Sequence, residues 1–380
     1  MFKAILKSLG LLRLARYVRK IAYFLFDTVG YIVFLPFWLI SDKGPILEKK
    51  DKIKKILIIR LDRIGDVILS TPAIRAARKT FPQAQIHLLI REYTLDLIIN
   101  NSNIDRLLVY KKDKIARDYD LAIALHPGIR QNYITFLSAA KFRIGYTGWG
   151  GGFFLTHKIK DDRETRIRHE VESALEVVGR AGCKTQDKSL EVSLTDEGEK
   201  IAEDFLKNYA IQKNDLKIVI HPGARQEYIR WKKEGFAKVS DELIKQYNAK
   251  IILIGSSNES NLVGEIASLM KQRPILAIGL KLTVLVSLIK RCHLFIGNST
   301  GPMHIAAALK VPVVAIFGNI HPLDSYQEWG PWGENHIVVS KNLRCKNCHP
   351  GDCRTLDCMR LITAEDVLDA AKKQIDRQKW

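Results

Sequence analysis

Residues 292–318 constrain the fold more than any other stretch of this chain. Leu294, Phe295 and Ile296 form a short apolar run, and Gly297-Asn298-Ser299-Thr300-Gly301 breaks it. Pro302 stands where a helix would begin, 303–309 is built of small and apolar residues, and 311–317 is apolar almost throughout. This order predicts strand, polar turn, helix and strand, the unit of a parallel sheet. A proline at a helix start loses nothing, because its missing N–H would have had no partner there. The Ser, Thr and Gly of the turn leave backbone N–H groups free, and such a terminus attracts anions, phosphate above all. The same residues also describe a βαβ unit that binds nothing.

A chain of 380 residues has room for two α/β domains with their own cores and an appendage. Its formal net charge of +19 calls for a polyanionic neighbour. No nucleic-acid-binding module accompanies that charge, so nucleic acid is not expected as the partner. An anionic membrane or a phosphorylated substrate is. The apolar run near the N-terminus is long and lacks a small-residue cleavage site, so no cleavable secretory leader is expected and a reducing cytosol is the default.

Residues 1–48 read as a membrane-associating helical segment. Lys3, Lys7, Arg13, Arg16, Arg19 and Lys20 recur among Leu and Ile at near-helical spacing, which suits a helix lying on anionic lipid. Residues 21–40 are nearly all apolar, long enough to span a bilayer, and interrupted by Asp27, Gly30 and Pro36. Lysines follow at 49, 50, 52, 54 and 55, so both flanks are basic and no orientation emerges. Two expectations stand: a spanning helix, or an anchor embedded from one face, the latter favoured.

Residues 49–200 form a first α/β domain. A buried strand is expected at 53–61, a turn at Asp62-Arg63-Ile64-Gly65-Asp66, one helix over 67–80, and further strands at 85–90, 106–110 and 121–125. Ligands of such sheets lie beyond the carboxyl ends of the strands, which puts Asp66 and His126 at the chemically useful edge. Asp66 also has the character of a helix N-cap. Residues 141–154 look too irregular for an element and suit a substrate or surface loop. Arg163, Arg166, Arg168 and His169 form a cationic cluster, either facing the same edge or simply solvated.

Residues 201–344 form a second α/β domain, with the amphipathic helix 195–209 as a bridge. The triplet His126-Pro127-Gly128 recurs as His221-Pro222-Gly223, which points to two domains of related architecture. Strand-end loops at 221–231, 255–259 and 297–304 are expected to converge. Arg225 and Arg230 suit phosphate by their forked donors, and Glu259 suits a ribose hydroxyl. Residues 345–380 are a cysteine-rich tail and a closing helix at 363–378. Cys345, Cys348, Cys353 and Cys358 suit a tetrahedral structural zinc. Disulfides, free thiols or an iron–sulfur cluster are the alternatives.

Three segments resemble the lipopolysaccharide heptosyltransferase-like enzymes of glycosyltransferase family 9: residues 56–90 (ILIIRLDRIGDV and onward), 218–236 (IVIHPGAR with the later RW and GF) and 297–331 (GNSTGPMHIAAALKVPVVAIFG and WGP). The resemblance implies an α/β GT-B fold, two Rossmann-like domains facing across a cleft, in which the last helix crosses back to the first domain. It implies inverting, metal-independent transfer of a heptose or related sugar from ADP-heptose or another nucleotide sugar, with no catalytic cofactor. The acceptor would be a lipopolysaccharide-core or other lipid-linked, phosphorylated glycan at the cytoplasmic face of the inner membrane. By the same resemblance Asp66 is the general base. Ser299, Thr300, Gly301 and His304 join His221, Gly223, Arg225, Arg230, Ser256 and Glu259 in holding the donor. Arg63, Arg143, Arg166 and His169 are the basic candidates for the acceptor. Two positions depart from the family pattern: Ser299 replaces an acidic residue, and Ile229 a lysine, so a different donor sugar or a catalytically inactive, membrane-bound nucleotide-sugar-binding homologue is the alternative.

Overall fold

The computed structural model describes residues 12–318, 321, 324–341, 343, 345, 353 and 355–378. The chain divides into two compact units, Met1–Leu95 with Asn101–Lys188, and Asp96–Asn100 with Ser189–Trp380.

The first unit opens with helices α1 (Leu12–Val33) and α2 (Leu35–Leu39). Its sheet contains β1 (Lys55–Ile59), β2 (Gln85–Ile90), β3 (Arg106–Val109), β4 (Leu121–Ala124), β5 (Phe142–Thr147) and β6 (His157–Lys160) in the order β3-β2-β1-β4-β5-β6. Every neighbouring pair is parallel. Ile56 to Ile59 are fully buried, as expected of a strand covered on both faces. The connecting helices are α3 (Ile64–Leu69), α4 (Thr71–Thr80), α5 (Ile129–Leu137) and α6 (Glu170–Gly179).

The second unit begins with α7 (Asp196–Asn208), capped by Thr195, whose Oγ1 accepts from the Gly198 N–H. This helix packs on α10 (Leu282–Lys290) within the unit. The sheet contains β7 (Lys217–His221), β8 (Lys250–Gly255), β9 (Ile275–Ile278), β10 (Leu294–Asn298), β11 (Val313–Phe317) and β12 (His336–Ser340), in the order β12-β11-β10-β7-β8-β9. Its pairs are again parallel. Helices α8 (Lys233–Tyr247), α9 (Ser260–Leu269), α11 (Gly301–Ala308), α12 (Tyr326–Trp329), α13 (Asp357–Arg360) and α14 (Ala364–Arg377) complete it. Counted from their first strands, the two sheets have one topology, with the strand order reversing beside β1 and beside β7, where open α/β sheets bind ligands. The His-Pro-Gly repeat is nevertheless not equivalent in the two: His126 follows β4, whereas His221 ends β7.

Four expectations are corrected. The helix expected over 67–80 is two helices. Pro72, at the second position of α4, has no N–H to continue the ladder. The carbonyls this frees are taken by side chains, Ser70 Oγ donating to Asp66 O at 2.7 Å and Thr71 Oγ1 to Ile68 O at 2.8 Å. Residues 141–154 are not a loop but β5, a glycine turn and a buried helical turn, Gly152–Phe154. The closing helix does not leave the second unit, because its Val367, Ala370, Ala371 and Ile375 are buried in one cluster with Ile218, Ile296 and Trp231. Residues 21–40 are not one helix: α1 stops at Val33, and Pro36 starts the short α2. Among the described residues no helix is long and apolar enough to cross a membrane.

Helix α1 is fixed to the first unit at its C-terminal half. A Cβ on Gly30 would lie 2.1 Å from the Phe153 ring, so the helix backbone touches that ring directly. Phe26 and Phe34 stack on Phe153 with centroids 5.4 and 5.2 Å apart, Phe34 meets Phe154 at 5.1 Å, and Asp27 accepts the Gly151 N–H at 2.7 Å. Gly30→Leu is therefore expected to detach α1: amide exchange in 21–33 should speed up roughly tenfold or more while β1 to β6 keep their protection. Unchanged exchange there would show that the contact does not hold the helix.

Candidate functional site

Two constellations sit at the two strand-order reversals, one in each unit. In the first, Asp66 is the third residue of α3 and 9 % exposed. One carboxylate oxygen accepts the Arg63 N–H at 3.0 Å, and the other meets Arg60 Nη2 at 3.1 Å. Asp66 thus caps the helix from inside its first turn rather than from the N-cap, a position that Arg63 occupies. Burial raises its proton affinity; Arg60 works against that, and Asp62 and Glu170 reinforce it, leaving the pKa above the ordinary carboxylate value.

Arg60, directly after β1, is fully buried. Its Nη2 donates to Glu170 at 2.6 Å as well as to Asp66, its Nη1 to the Leu125 carbonyl at 3.2 Å, and its Nε lies 3.6 Å from Asp62. Burial opposes the charge, but Glu170, Asp66 and Asp62 outweigh it, so the guanidinium stays charged. His126 Nδ1 lies 3.7 Å from Asp62, and Glu170 also faces Arg163 at 3.5 Å. Arg60, Asp62 and Glu170 escaped the sequence reading. A charge straight after ILII was the available signal, since strand ends at this edge carry the chemistry.

Of the acceptor candidates, Arg63 is exposed beside Asp66 and His169 caps α6 by accepting the Val171 N–H, one residue from Glu170. Arg166 is exposed in the preceding segment. Arg163 and Arg168 of the expected cationic cluster are instead paired, with Asp161 and Glu170 and with Asp162 and Glu176. Arg143 is a correction: it lies in the N-terminal half of β5, level with Ala122, and its guanidinium donates to the Phe154 and Ala140 carbonyls at 2.6 and 2.7 Å. Those bonds commit it to holding backbone, away from the carboxyl edge.

In the second unit the three expected loops meet. His221 Nδ1 contacts Thr300 Oγ1 at 3.0 Å, and its Nε2 lies 3.6 Å from Glu259. Glu259 accepts the Ser256 N–H and hydroxyl, each at 2.8 Å. A Cβ on Gly223 would fall 1.9 Å from Glu259 Oε1, so only glycine lets the carboxylate lie over this loop. Beneath them the fully buried Asn298 accepts the Trp231 N–H at 3.1 Å and donates to the Pro222 and Gly223 carbonyls at 2.8 and 3.2 Å. Asn298 is a fourth residue the sequence reading passed over.

Thr300 is the N-cap of α11, yet its side chain makes no capping bond. Its hydroxyl is turned to His221 and to the Asn298 carbonyl, which leaves the helix start without a side-chain cap. Gly301 is the first helical residue, Pro302 the second and His304, 4 % exposed, the fourth. Ser299 is half-buried, Arg225 exposed, and Arg230 donates to the Ala224 carbonyl at 3.1 Å. Among the described residues no three His, Cys, Asp or Glu side chains are grouped to hold a metal; Cys348 lies outside them, and Cys345 and Cys353 are exposed with free thiols.

Residues 111–358 match the family model of glycosyltransferase family 9 (heptosyltransferase). The chain belongs to glycosyltransferase family 9. Asp66 and the turn after β1 precede the matched region. This family 9 glycosyltransferase is 29 % identical over 343 residues to lipopolysaccharide heptosyltransferase 3 of Escherichia coli K12, covering 81 % of this chain and 94 % of that protein. It is 28 % identical over 340 residues to lipooligosaccharide heptosyltransferase 2 of Campylobacter jejuni, covering 84 % and 97 %. The structure of a family 9 glycosyl transferase from Veillonella parvula superimposes with a TM-score of 0.74 at 26 % identity, over 86 % of this chain and 98 % of that one. The E. coli ADP-heptose lipopolysaccharide heptosyltransferase II shares the fold, with a TM-score of 0.69 at 20 % identity over 85 % and 99 %.

The His221, Ser256 and burial contacts of Glu259 have a pH consequence. The contact with His221, 3.6 Å away, and the hydrogen bonds from Ser256 outweigh burial and hold the carboxyl down to about 2, against an ordinary 4.5. A depressed carboxyl contributes stability that is complete above its unfolded pKa and is lost as pH falls through its folded one. Wild type is therefore expected to lose stability relative to Glu259→Gln between about pH 4.5 and pH 2, read from denaturant midpoints. Parallel pH curves for the two proteins would contradict the contacts.

Proposed function

We propose that this enzyme moves a heptose or closely related sugar from a nucleoside-diphosphate donor, ADP-heptose first among them, to a lipid-linked, phosphorylated glycan of the lipopolysaccharide-core type. The observation that carries the donor half is the joining of His221, Glu259 and Thr300 beside the uncapped start of α11. A diphosphate binds at the Gly301 amide with Arg225 and Arg230 as counter-charges, and Glu259 accepts from the ribose. The names of the relatives, heptosyltransferases acting on lipopolysaccharide or lipooligosaccharide, support the sugar and the acceptor.

Asp66 supports the other half. A buried carboxylate with a raised pKa is a stronger base than an ordinary aspartate. It takes the proton from the acceptor hydroxyl as the oxygen forms its bond to the anomeric carbon. The bond from that carbon to the diphosphate breaks, and the nucleoside diphosphate leaves with the electron pair. One displacement of this kind inverts the anomeric centre. Protein amides and guanidinium groups meet the leaving charge, so no metal is assigned a step. Arg63, His169 and Arg166 are the proposed acceptor contacts. Asp66→Ala is expected to lower turnover about 100-fold or more while thermal stabilisation by ADP-heptose, screened among other nucleotide sugars, stays as in wild type. Full turnover in that variant would remove Asp66 from the chemistry.

The same reading places the enzyme on the cytoplasmic face of a membrane, held from one side by α1 and α2. Phe24, Ile32 and Ile40 are 70, 70 and 84 % exposed, and Tyr17, Val18, Leu25, Val29, Val33 and Leu39 are exposed with them. An apolar surface of this extent marks an interaction site. Its half-buried carboxylate, Asp27, is turned to Gly151, while Lys20 and Lys43 are exposed at its ends. An apolar face edged by cations fits an anionic bilayer surface. The full-length protein is expected to float with vesicles containing phosphatidylglycerol, and the double variant Phe24→Asp, Ile32→Asp to stay in solution. Should wild type ignore the vesicles and instead form a dimer that the variant dissolves, the face belongs to a second copy.

A further inference from the structure

We infer that Glu170 is a positioning residue that sets the basicity of Asp66 by competing with it for one guanidinium. This rests on Asp66 being the base, as proposed above. Nη2 of Arg60 is shared between the two carboxylates, at 2.6 Å from Glu170 Oε1 and 3.1 Å from Asp66 Oδ1. The nearer acceptor takes the larger part of the charge-assisted bond. Both Arg60 and Glu170 are fully buried, so neither water nor salt weakens the competition.

An aspartate paired alone with an arginine becomes a weak base, its pKa driven down by the adjacent cation. Asp66 escapes that outcome first because it is buried, and further because the cation beside it is mainly committed elsewhere. Glu170 itself is placed by being the first residue of α6, after the His169 cap, and its second oxygen faces Arg163, 3.5 Å away. Arg163 in turn is held by Asp161 at 2.8 and 3.0 Å. The charged and titratable groups around Asp66 are Arg60, Asp62 and Arg63 from the end of β1 and its turn, Tyr93 from the segment after β2, His126 from the end of β4, and Glu170 from α6. Of these, Glu170 is the anion that binds the same nitrogen as Asp66. Asp62 lies against the other side of the guanidinium, at Nε.

Replacing Glu170 by Gln removes a negative neighbour and releases Arg60 to Asp66, and both changes favour the ionised aspartate. The acid limb of the turnover profile, where Asp66 must lose its proton to act, is expected to move to lower pH by about one unit. Turnover on the plateau should fall a few-fold, as the base weakens. Donor KM should not change, because every donor-site residue lies in the other unit; a purely structural lesion would lower the plateau without moving the limb. If Glu170→Gln does not fold, Glu170→Asp, which keeps the charge but shortens its reach, is expected to shift the limb the same way by less. An unmoved limb in whichever variant folds overturns the inference. Asp66→Ala keeps the two claims apart: a dead Asp66→Ala with an unmoved Glu170 variant refutes only the role of Glu170, while an active Asp66→Ala refutes the base itself.

Discussion

Both units depend on parallel strand pairing at the places where strand order reverses. A parallel pair cannot be closed by a tight turn, so every strand is followed by a crossover and every strand-end loop opens at the same edge. Beside β1 the edge collects Arg60, Asp62, Asp66 and His126; beside β7 it collects His221, Gly223, Asn298 and Thr300. The register Gly297↔His221 brings the end of β10 level with the end of β7, and a Cβ on Gly297 would lie 2.7 Å from the His221 carbonyl. Close approach of backbone is what allows His221 to reach Thr300 and Asn298 to reach Pro222.

The two constellations meet the problem of buried polarity differently. In the first unit it is ionic, with Arg60 and Arg163 set among Asp62, Asp66, Asp161 and Glu170. Such an arrangement survives burial only if the charges balance and each finds hydrogen-bond partners. In the second unit the buried centre is a neutral amide, Asn298, which satisfies one N–H and two carbonyls at once. A charge network suits proton movement, and a neutral clamp suits holding loops still beneath an anion.

The strands were legible because a strand buried on both faces is a continuous apolar run, and 85–90 was placed to the residue. The helix start at Thr195 was readable from its cap. What remained hidden has physical reasons. Residues 141–154 carry five glycines and five aromatics, a loop composition, but Gly150 and Gly151 take left-handed backbone angles so that Phe153 and Phe154 can turn inward under α1. Arg60 went unremarked inside the strand expected at 53–61, because sequence shows a charge but not the Glu170 carboxylate, 110 residues on, that pairs with it. Asp66 was assigned the N-cap and lies three residues inside it, a shift too small for any periodicity to detect. Arg143 was mistaken for a ligand-binding cation because basic residues near glycine turns look alike until their bonds are known.

Trp231 ties the loops around His221 and Asn298 to the segment that leads into α14. Its backbone N–H is held by Asn298, and its indole N–H donates to the Ile362 carbonyl at 2.9 Å, just ahead of α14. The cluster that buries its ring also includes five residues of α14. Proteins are made from the N-terminus, so the first sheet has all its strands once residue 160 has left the ribosome. The second unit must wait for α14 before Trp231 is sealed. During synthesis the sheet beside Asp66 is complete while the half that holds Thr300 still lacks its final wall, and a nascent chain that stalls short of α14 carries an unfinished core beneath His221 and Thr300.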